Sequence, residues 1–176
     1  MMRPLIYYDE MESPIGPLTI VTTDKGICNI EFGRIEGIRS ILDAWVKKYF
    51  LKSELSHNPE KLSQTINQLS QYFYGERNEF NLPIDLYGTS FQKKVWNELC
   101  KIKYGTTKSY KDVAQSIYAP KAVRAIGTAI GRNPVPILVP CHRVIGSNGS
   151  LVGYNGGLDK KEKLLMIEKS LKQSSK

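Results

Sequence analysis

The chain has 176 residues, 41% of them apolar and 10% aromatic, with a formal net charge of +8. That length suits one large domain or two small ones, each with its own core. No uncharged run is apolar enough to span a bilayer; the longest, Val144 to Leu158, is rich in Gly, Ser and Asn. The charge is unevenly spread: residues 1–88 hold nine Lys and Arg against twelve Asp and Glu (−3), and residues 89–176 hold sixteen against five (+11). The second half therefore points to a polyanionic partner, with a merely soluble basic surface as the plain alternative. Three scattered cysteines (Cys28, Cys100, Cys141) and the mixed polar sequence after Met1-Met2-Arg3-Pro4 fit a reducing, cytoplasmic setting with free thiols.

In chain order, Leu5 to Asp9 reads as a short strand and Pro14-Ile15-Gly16-Pro17 as a turn. Leu18 to Thr23 alternates like a strand, and Asp24-Lys25-Gly26 turns it into Ile27–Phe32 as a hairpin. Ile38, Ile41, Leu42, Trp45, Val46 and Tyr49 form a helical stripe. A polar break over 52–59, holding a surface His57, precedes a second helix with Leu62, Ile66, Leu69 and Phe73 on one side. Phe80, Leu82, Ile84 and Leu86 alternate as a further strand. The half is an α+β support with no reactive cluster, and Tyr87-Gly88-Thr89 marks its end.

The second half opens with Thr89 and Gln92, spaced as a capping box, before a helix with Phe91, Val95, Trp96, Leu99 and Ile102 inward. Ser109 and Asp112 make a second capping box before a short helix from Tyr110 to about Ile117. Pro120 suits the first turn of a third helix, about 121–132, built from Ala, Gly and Thr with Arg124 near its start. Two short helices on a basic half resemble a DNA-binding helix-turn-helix, though a helical hairpin without a ligand has the same pattern. Such small side chains suit a close approach to a narrow groove or a backbone, with Arg124 the one group that reaches. Gly146-Ser147-Asn148-Gly149-Ser150 between Val144-Ile145 and Leu151-Val152 reads as a hairpin wing. A last helix from Leu158 to Leu171 sets Leu164, Glu168 and Leu171 on one face, and Lys172 to Lys176 forms a tail.

Between these helices and the wing runs Asn133-Pro134-Val135-Pro136-Ile137-Leu138-Val139-Pro140-Cys141-His142-Arg143-Val144. Three prolines within seven residues make it a stiff arm rather than an interior helix or strand. A cysteine is most often a small buried hydrophobe, but here His142 is adjacent and Arg143 follows. Either can favour the thiolate that nucleophilic chemistry needs. Glu168 can orient the histidine in triad fashion. Neighbouring residues point apart, so the thiol and the imidazole can be linked through a water.

Pro140-Cys141-His142-Arg143-Val144, with Asn133-Pro134 upstream and Gly156-Gly157-Leu158 downstream, resembles the O6-alkylguanine-DNA alkyltransferase family. The resemblance is close from about residue 89 to 171 and covers the first half only in layout. It implies a small N-terminal α/β, ribonuclease H-like domain over residues 1–87. It also implies a winged helix-turn-helix-like domain over 88–176 carrying the thiol. The implied activity is single-turnover transfer of a methyl or alkyl group from O6-alkylguanine, extruded from double-stranded DNA, to Cys141; activity on O4-alkylthymine is a possible extension. The same resemblance implies His142 as a water-linked base, Glu168 as the carboxylate holding it and Asn133 as the hinge that braces the turn. Arg124 would fill the vacated stack and Tyr110 would hydrogen-bond the base. Val144 and Asn155 would offer backbone contacts, and Tyr154 would line the pocket. No cofactor and no metal are expected, since the first half lacks the Cys/His set that holds structural zinc in some relatives. A monomer without membrane contact is expected. Two other readings remain: a lesion sensor or DNA-binding protein without chemistry, and a Cys–His hydrolase, which would need an oxyanion hole.

Overall fold

The structure, a computed structural model, describes residues 5–169. The chain divides into two units, Met1–Tyr87 and Gly88–Lys176. The mixture of strands and helices makes the fold α+β, a sheet-bearing unit followed by a helical one.

The first unit holds β1 (Ile6–Met11), β2 (Leu18–Thr22), β3 (Ile27–Phe32), α1 (Ile35–Tyr49), β4 (Leu55–His57) and α2 (Pro59–Phe73). Its sheet runs β3-β2-β1-β4; the first three strands are antiparallel and β4 lies parallel to β1. Every residue of β2 is buried, as a strand covered on both faces requires. Val21, Cys28 and Ile6 join Ile38, Leu42 and Val46 of α1 in one core. Leu18 and Ile20 have the opposite parity and so face the other side, where α2 packs on β1 and β2. Asn58 caps α2 by accepting from the Lys61 N–H at 3.1 Å.

Three expectations for this unit are corrected. The polar break over 52–59 contains β4, whose His57 lies 2.8 Å from Asp9 Oδ1. Ile41, placed on the α1 stripe, is 57% exposed. Residues 80–86 form no strand; one bridge joins Ile84 to Ile27. Pro83 brings no N–H to a ladder, and the Asn81 backbone pairs instead with the Gln68 side chain, accepting at 3.3 Å and donating at 2.9 Å. The Pro83 carbonyl still accepts from the Ile27 N–H at 2.9 Å. Gly26 permits that approach, since a Cβ there would stand 2.6 Å from the Pro83 oxygen.

The second unit holds α3 (Ser90–Leu99), β5 (Lys108–Ser109), α4 (Tyr110–Ser116), α5 (Val123–Gly131), a 3₁₀ turn (Cys141–Arg143), β6 (Val144–Ile145) and α6 (Leu158–Ile167). Both capping boxes form, each with its two reciprocal hydrogen bonds. Trp96, 1% exposed, donates its indole N–H to the Ala129 carbonyl at 2.8 Å and so ties α3 to α5.

Here too the structure corrects the sequence reading. Phe91 is 38% exposed rather than inward. Pro120 lies in the turn before α5, which starts at Val123. The wing is not a hairpin: Val144–Ile145 pair in parallel with Lys108–Ser109, and Gly146 closes only the tight loop, donating to the Ser150 carbonyl at 2.8 Å. The Val152 and Gly153 carbonyls are taken by side chains, which leaves no ladder for them to join. Leu171 and the tail lie outside the described residues.

Candidate active site

The arm leaves α5 through Asn133, and that one side chain holds it. Its carbonyl oxygen accepts from the Val135 N–H and its amide donates to the Val139 carbonyl, both at 2.9 Å. Val139 N–H donates to the Val135 carbonyl at 2.9 Å, so residues 135–139 close on themselves. Within that loop the buried, β-branched Ile137 sits at φ +76°, a left-handed conformation that ordinarily costs about 1–2 kcal/mol. The strain is held by prolines on either side and by the Asn133 brace.

Cys141, His142 and Arg143 then form a single 3₁₀ turn. Three residues per turn send successive side chains about 120° apart, and the three go to different places. Cys141 lines a cavity of about 190 Å³ with Tyr110, Asn133, Gly153, Tyr154 and Asn155. His142 is fully buried, its Nε2 2.6 Å from Glu168 Oε2. Arg143 donates Nε to Glu168 Oε1 at 2.8 Å, Nη2 to Oε2 at 3.0 Å and Nη1 to the Ile102 carbonyl at 2.6 Å.

Glu168 caps the C-terminal end of α6 and is 1% exposed. Burial favours its neutral form, but the hydrogen bonds from His142 and Arg143 outweigh that and hold it down at about 2. An ionised carboxylate accepts only, so His142 must donate through Nε2, and the neutral ring then carries its lone pair on Nδ1. That atom is buried and hydrogen-bonds no protein group among the described residues. Burial pulls the His142 pKa below its ordinary value against the pull of Glu168, so the ring is neutral at pH 7 and able to accept a proton.

Burial pushes the Cys141 thiol up to about 11, although a hydrogen bond from Asn133 and the charge of Lys161 favour the thiolate. At rest the site holds a thiol, and a base is needed to expose the nucleophile. Lys161, fully buried, donates to the Val144 carbonyl at 2.5 Å and to the Val152 and Gly153 carbonyls at 3.1 Å. Burial lowers it to about 8, while Cys141 favours its charged form. Tyr110 donates its hydroxyl to the Val152 carbonyl at 2.8 Å, and the Lys161 ammonium lies 5.9 Å from its ring centroid.

The residues named from sequence thus fall into three groups. Cys141, His142, Glu168 and Asn133 form one connected set, and Tyr110, Tyr154 and Asn155 line the cavity that Cys141 faces. Val144 is buried and does not line the cavity, and its carbonyl is held by Lys161. Arg124 stands apart, exposed on α5 along a shallow surface groove with Phe91, Lys121 and Thr128. Sequence reasoning missed Lys161 and the part played by Arg143. Lys161, Leu164, Leu165 and Glu168 recur at offsets 0, 3, 4 and 7, one buried stripe, and that period was the available signal. Among the described residues no cluster of His, Cys, Asp and Glu could hold a metal ion, and no helix is long and apolar enough to cross a membrane.

Comparison with known proteins supplies a separate line of observation. Residues 6–86 match the family model of the 6-O-methylguanine DNA methyltransferase ribonuclease-like domain, and residues 90–170 that of the DNA binding domain. The chain is 43% identical over 167 residues to the methylated-DNA–protein-cysteine methyltransferase of Methanosarcina barkeri, covering 94% of this chain and 98% of that protein. It is 44% identical over 167 residues to the inducible protein of that name from Bacillus subtilis, covering 95% and 92%. Among solved structures, Mycobacterium tuberculosis OGT in complex with DNA superposes with a TM-score of 0.79 at 41% identity, covering 93% of each chain.

Proposed function

This chain belongs to the 6-O-methylguanine DNA methyltransferase family, DNA-repair proteins that move an alkyl group from DNA to a protein cysteine, and on that premise we propose how its residues do so. Cys141 is the acceptor, the donor is O6-alkylguanine in duplex DNA, and each molecule, acting as a monomer, reacts once. The observation that carries this assignment is the divergence within the 3₁₀ turn: the thiol faces the cavity while the imidazole faces inward onto an ionised carboxylate.

A guanine oxygen paired in the stack is closed to in-line attack at its alkyl carbon, so the base leaves the duplex. It enters the cavity lined by Tyr110, Tyr154 and Asn155. Arg124, exposed near the start of α5, fills the gap left behind. His142 takes the thiol proton at Nδ1 through a water, and Glu168, held by Arg143, stabilises the imidazolium. The thiolate attacks the alkyl carbon, the carbon–oxygen bond breaks, and its electron pair leaves with the guanine. Tyr110 donates a proton to the departing base, and the proton held by His142 restores the phenol. The products are guanine and a thioether whose carbon is a poor electrophile, with no second thiol in the cavity lining to reverse the step.

Intact-protein mass after incubation with duplex carrying O6-methylguanine tests the assignment. A gain of one methylene's mass, confined to Cys141, saturating at one per chain and absent from Cys141→Ala, is the expected result. Tight lesion binding without any gain would make the protein a sensor, and sustained turnover on an ester would make it a hydrolase.

A further inference from the structure

The turn between α4 and α5 carries a feature that the alkyl-transfer site does not use. Helix α4 ends with Tyr118 N–H donating to the Gln115 carbonyl at 3.0 Å and Ala119 N–H to the Ala114 carbonyl at 2.9 Å. This paired arrangement needs its middle residue in the left-handed region, and glycine or asparagine usually occupies it. Tyr118 holds that position at φ +59°. Its side chain is 93% exposed, so the ring gains almost nothing from the rest of the chain in return for the conformation. A bulky residue at a position that glycine favours, and exposed to solvent, is free to make a contact outside the molecule.

The groove beside it is lined by basic side chains. Tyr118 shares it with Lys93, Lys94, Asn97 and Lys101 of α3. The acidic residue there, Glu98, is ion-paired with Lys101 at 3.0 Å, which leaves Lys93 and Lys94 without an acidic partner among the described residues. A phenol with two ammonium groups matches the acceptor oxygens of a phosphodiester backbone. The turn itself joins α4, whose first residue lines the cavity, to α5, which bears Arg124.

We propose that Tyr118, Lys93 and Lys94 form a second DNA contact, holding backbone phosphates of the same duplex outside the lesion pair. The inference rests on the alkyl-transfer reading for its partner but not for its chemistry. Binding to undamaged duplex is measured across a salt series, together with the rate of reaction with free O6-methylguanine base. Lys93→Gln with Lys94→Gln should reduce the slope of log affinity against log salt by about 1.8, the loss of two phosphate contacts. Tyr118→Gly, which keeps the turn geometry, should weaken duplex binding roughly tenfold, as removal of a hydrogen bond to a charged group does. Both variants should react with the free base at the parent rate. Unchanged affinity and slope would overturn the proposal and leave the groove to a different, acidic partner. Free-base reactivity lost alongside binding would also overturn it, by giving these residues a structural role. A parent protein that fails to react with the free base would count against the alkyl-transfer reading alone.

Discussion

Glu168 is the residue on which the candidate chemistry is most exposed to test, because it accepts from the neutral His142 and the charged Arg143 at once. Glu168→Gln leaves Arg143 buried without its carboxylate, a loss of about 3–5 kcal/mol when one partner of a buried pair is removed. It also removes the group that supports a proton on His142, so the ring becomes a weaker base. Transfer at pH 7 should slow by about a hundredfold or more, and the acid limb of the pH–rate profile should move to lower pH. A profile that keeps its shape would remove His142 from the proton path. The thiol, histidine and carboxylate were legible in the sequence because their chemistry is written in residue type. Lys161 was not, since a lysine among lysines looks like solvated surface until the helix phase places it beside Leu164 and Leu165. The pairing of Arg143 with Glu168 spans 25 residues, and nothing local announces it.

At the scale of elements, local chemistry was readable and distant pairing was not. Both capping boxes follow from residues three apart, and both formed. Strand pairing depends on register with remote segments. Alternation over 80–86 therefore misled where Pro83 and the Gln68 side chain took the backbone, and Val144–Ile145 chose Lys108–Ser109 over its sequence neighbours. Ser109 matters twice over, as the cap of a seven-residue helix and as a member of β5. Ser109→Ala should cost about 1 kcal/mol of stability and slow transfer by loosening Tyr110 at the helix start. Equal transfer rates in parent and variant would detach Tyr110 from the reaction. Tyr118→Gly should act in the opposite sense on stability, relieving a left-handed tyrosine worth about 1–2 kcal/mol, less the entropy a glycine loses on folding. A higher melting temperature with weaker DNA binding would be the combined signature.

Across the whole molecule, charge and protonation set the working range. The excess of basic residues after position 88 predicts DNA affinity that falls steeply with salt and varies little with undamaged sequence. Acid should lower the stability of the protein in two steps. His142 is held below its ordinary value of 6.5, so the unfolded chain binds its proton first and stability declines as pH falls through that value. Glu168 sits at about 2 against an ordinary 4.5, so its contribution is complete above 4.5 and is lost as pH falls towards 2. Chemical denaturation at pH 7, 5.5 and 4 checks the sign at each step; a stability that rises on acidification would contradict both assignments. The two tryptophans add an optical consequence. Trp45 sits half-buried in the first unit among the rings of Tyr49, Phe50 and Tyr87, whereas Trp96 is sealed in the second with its indole fixed to α5. Ultraviolet emission from a Trp45→Phe protein would come from Trp96 alone, and that from Trp96→Phe from Trp45. Each unit therefore carries its own built-in fluorophore, and the melting of one can be followed apart from the other without attaching a dye.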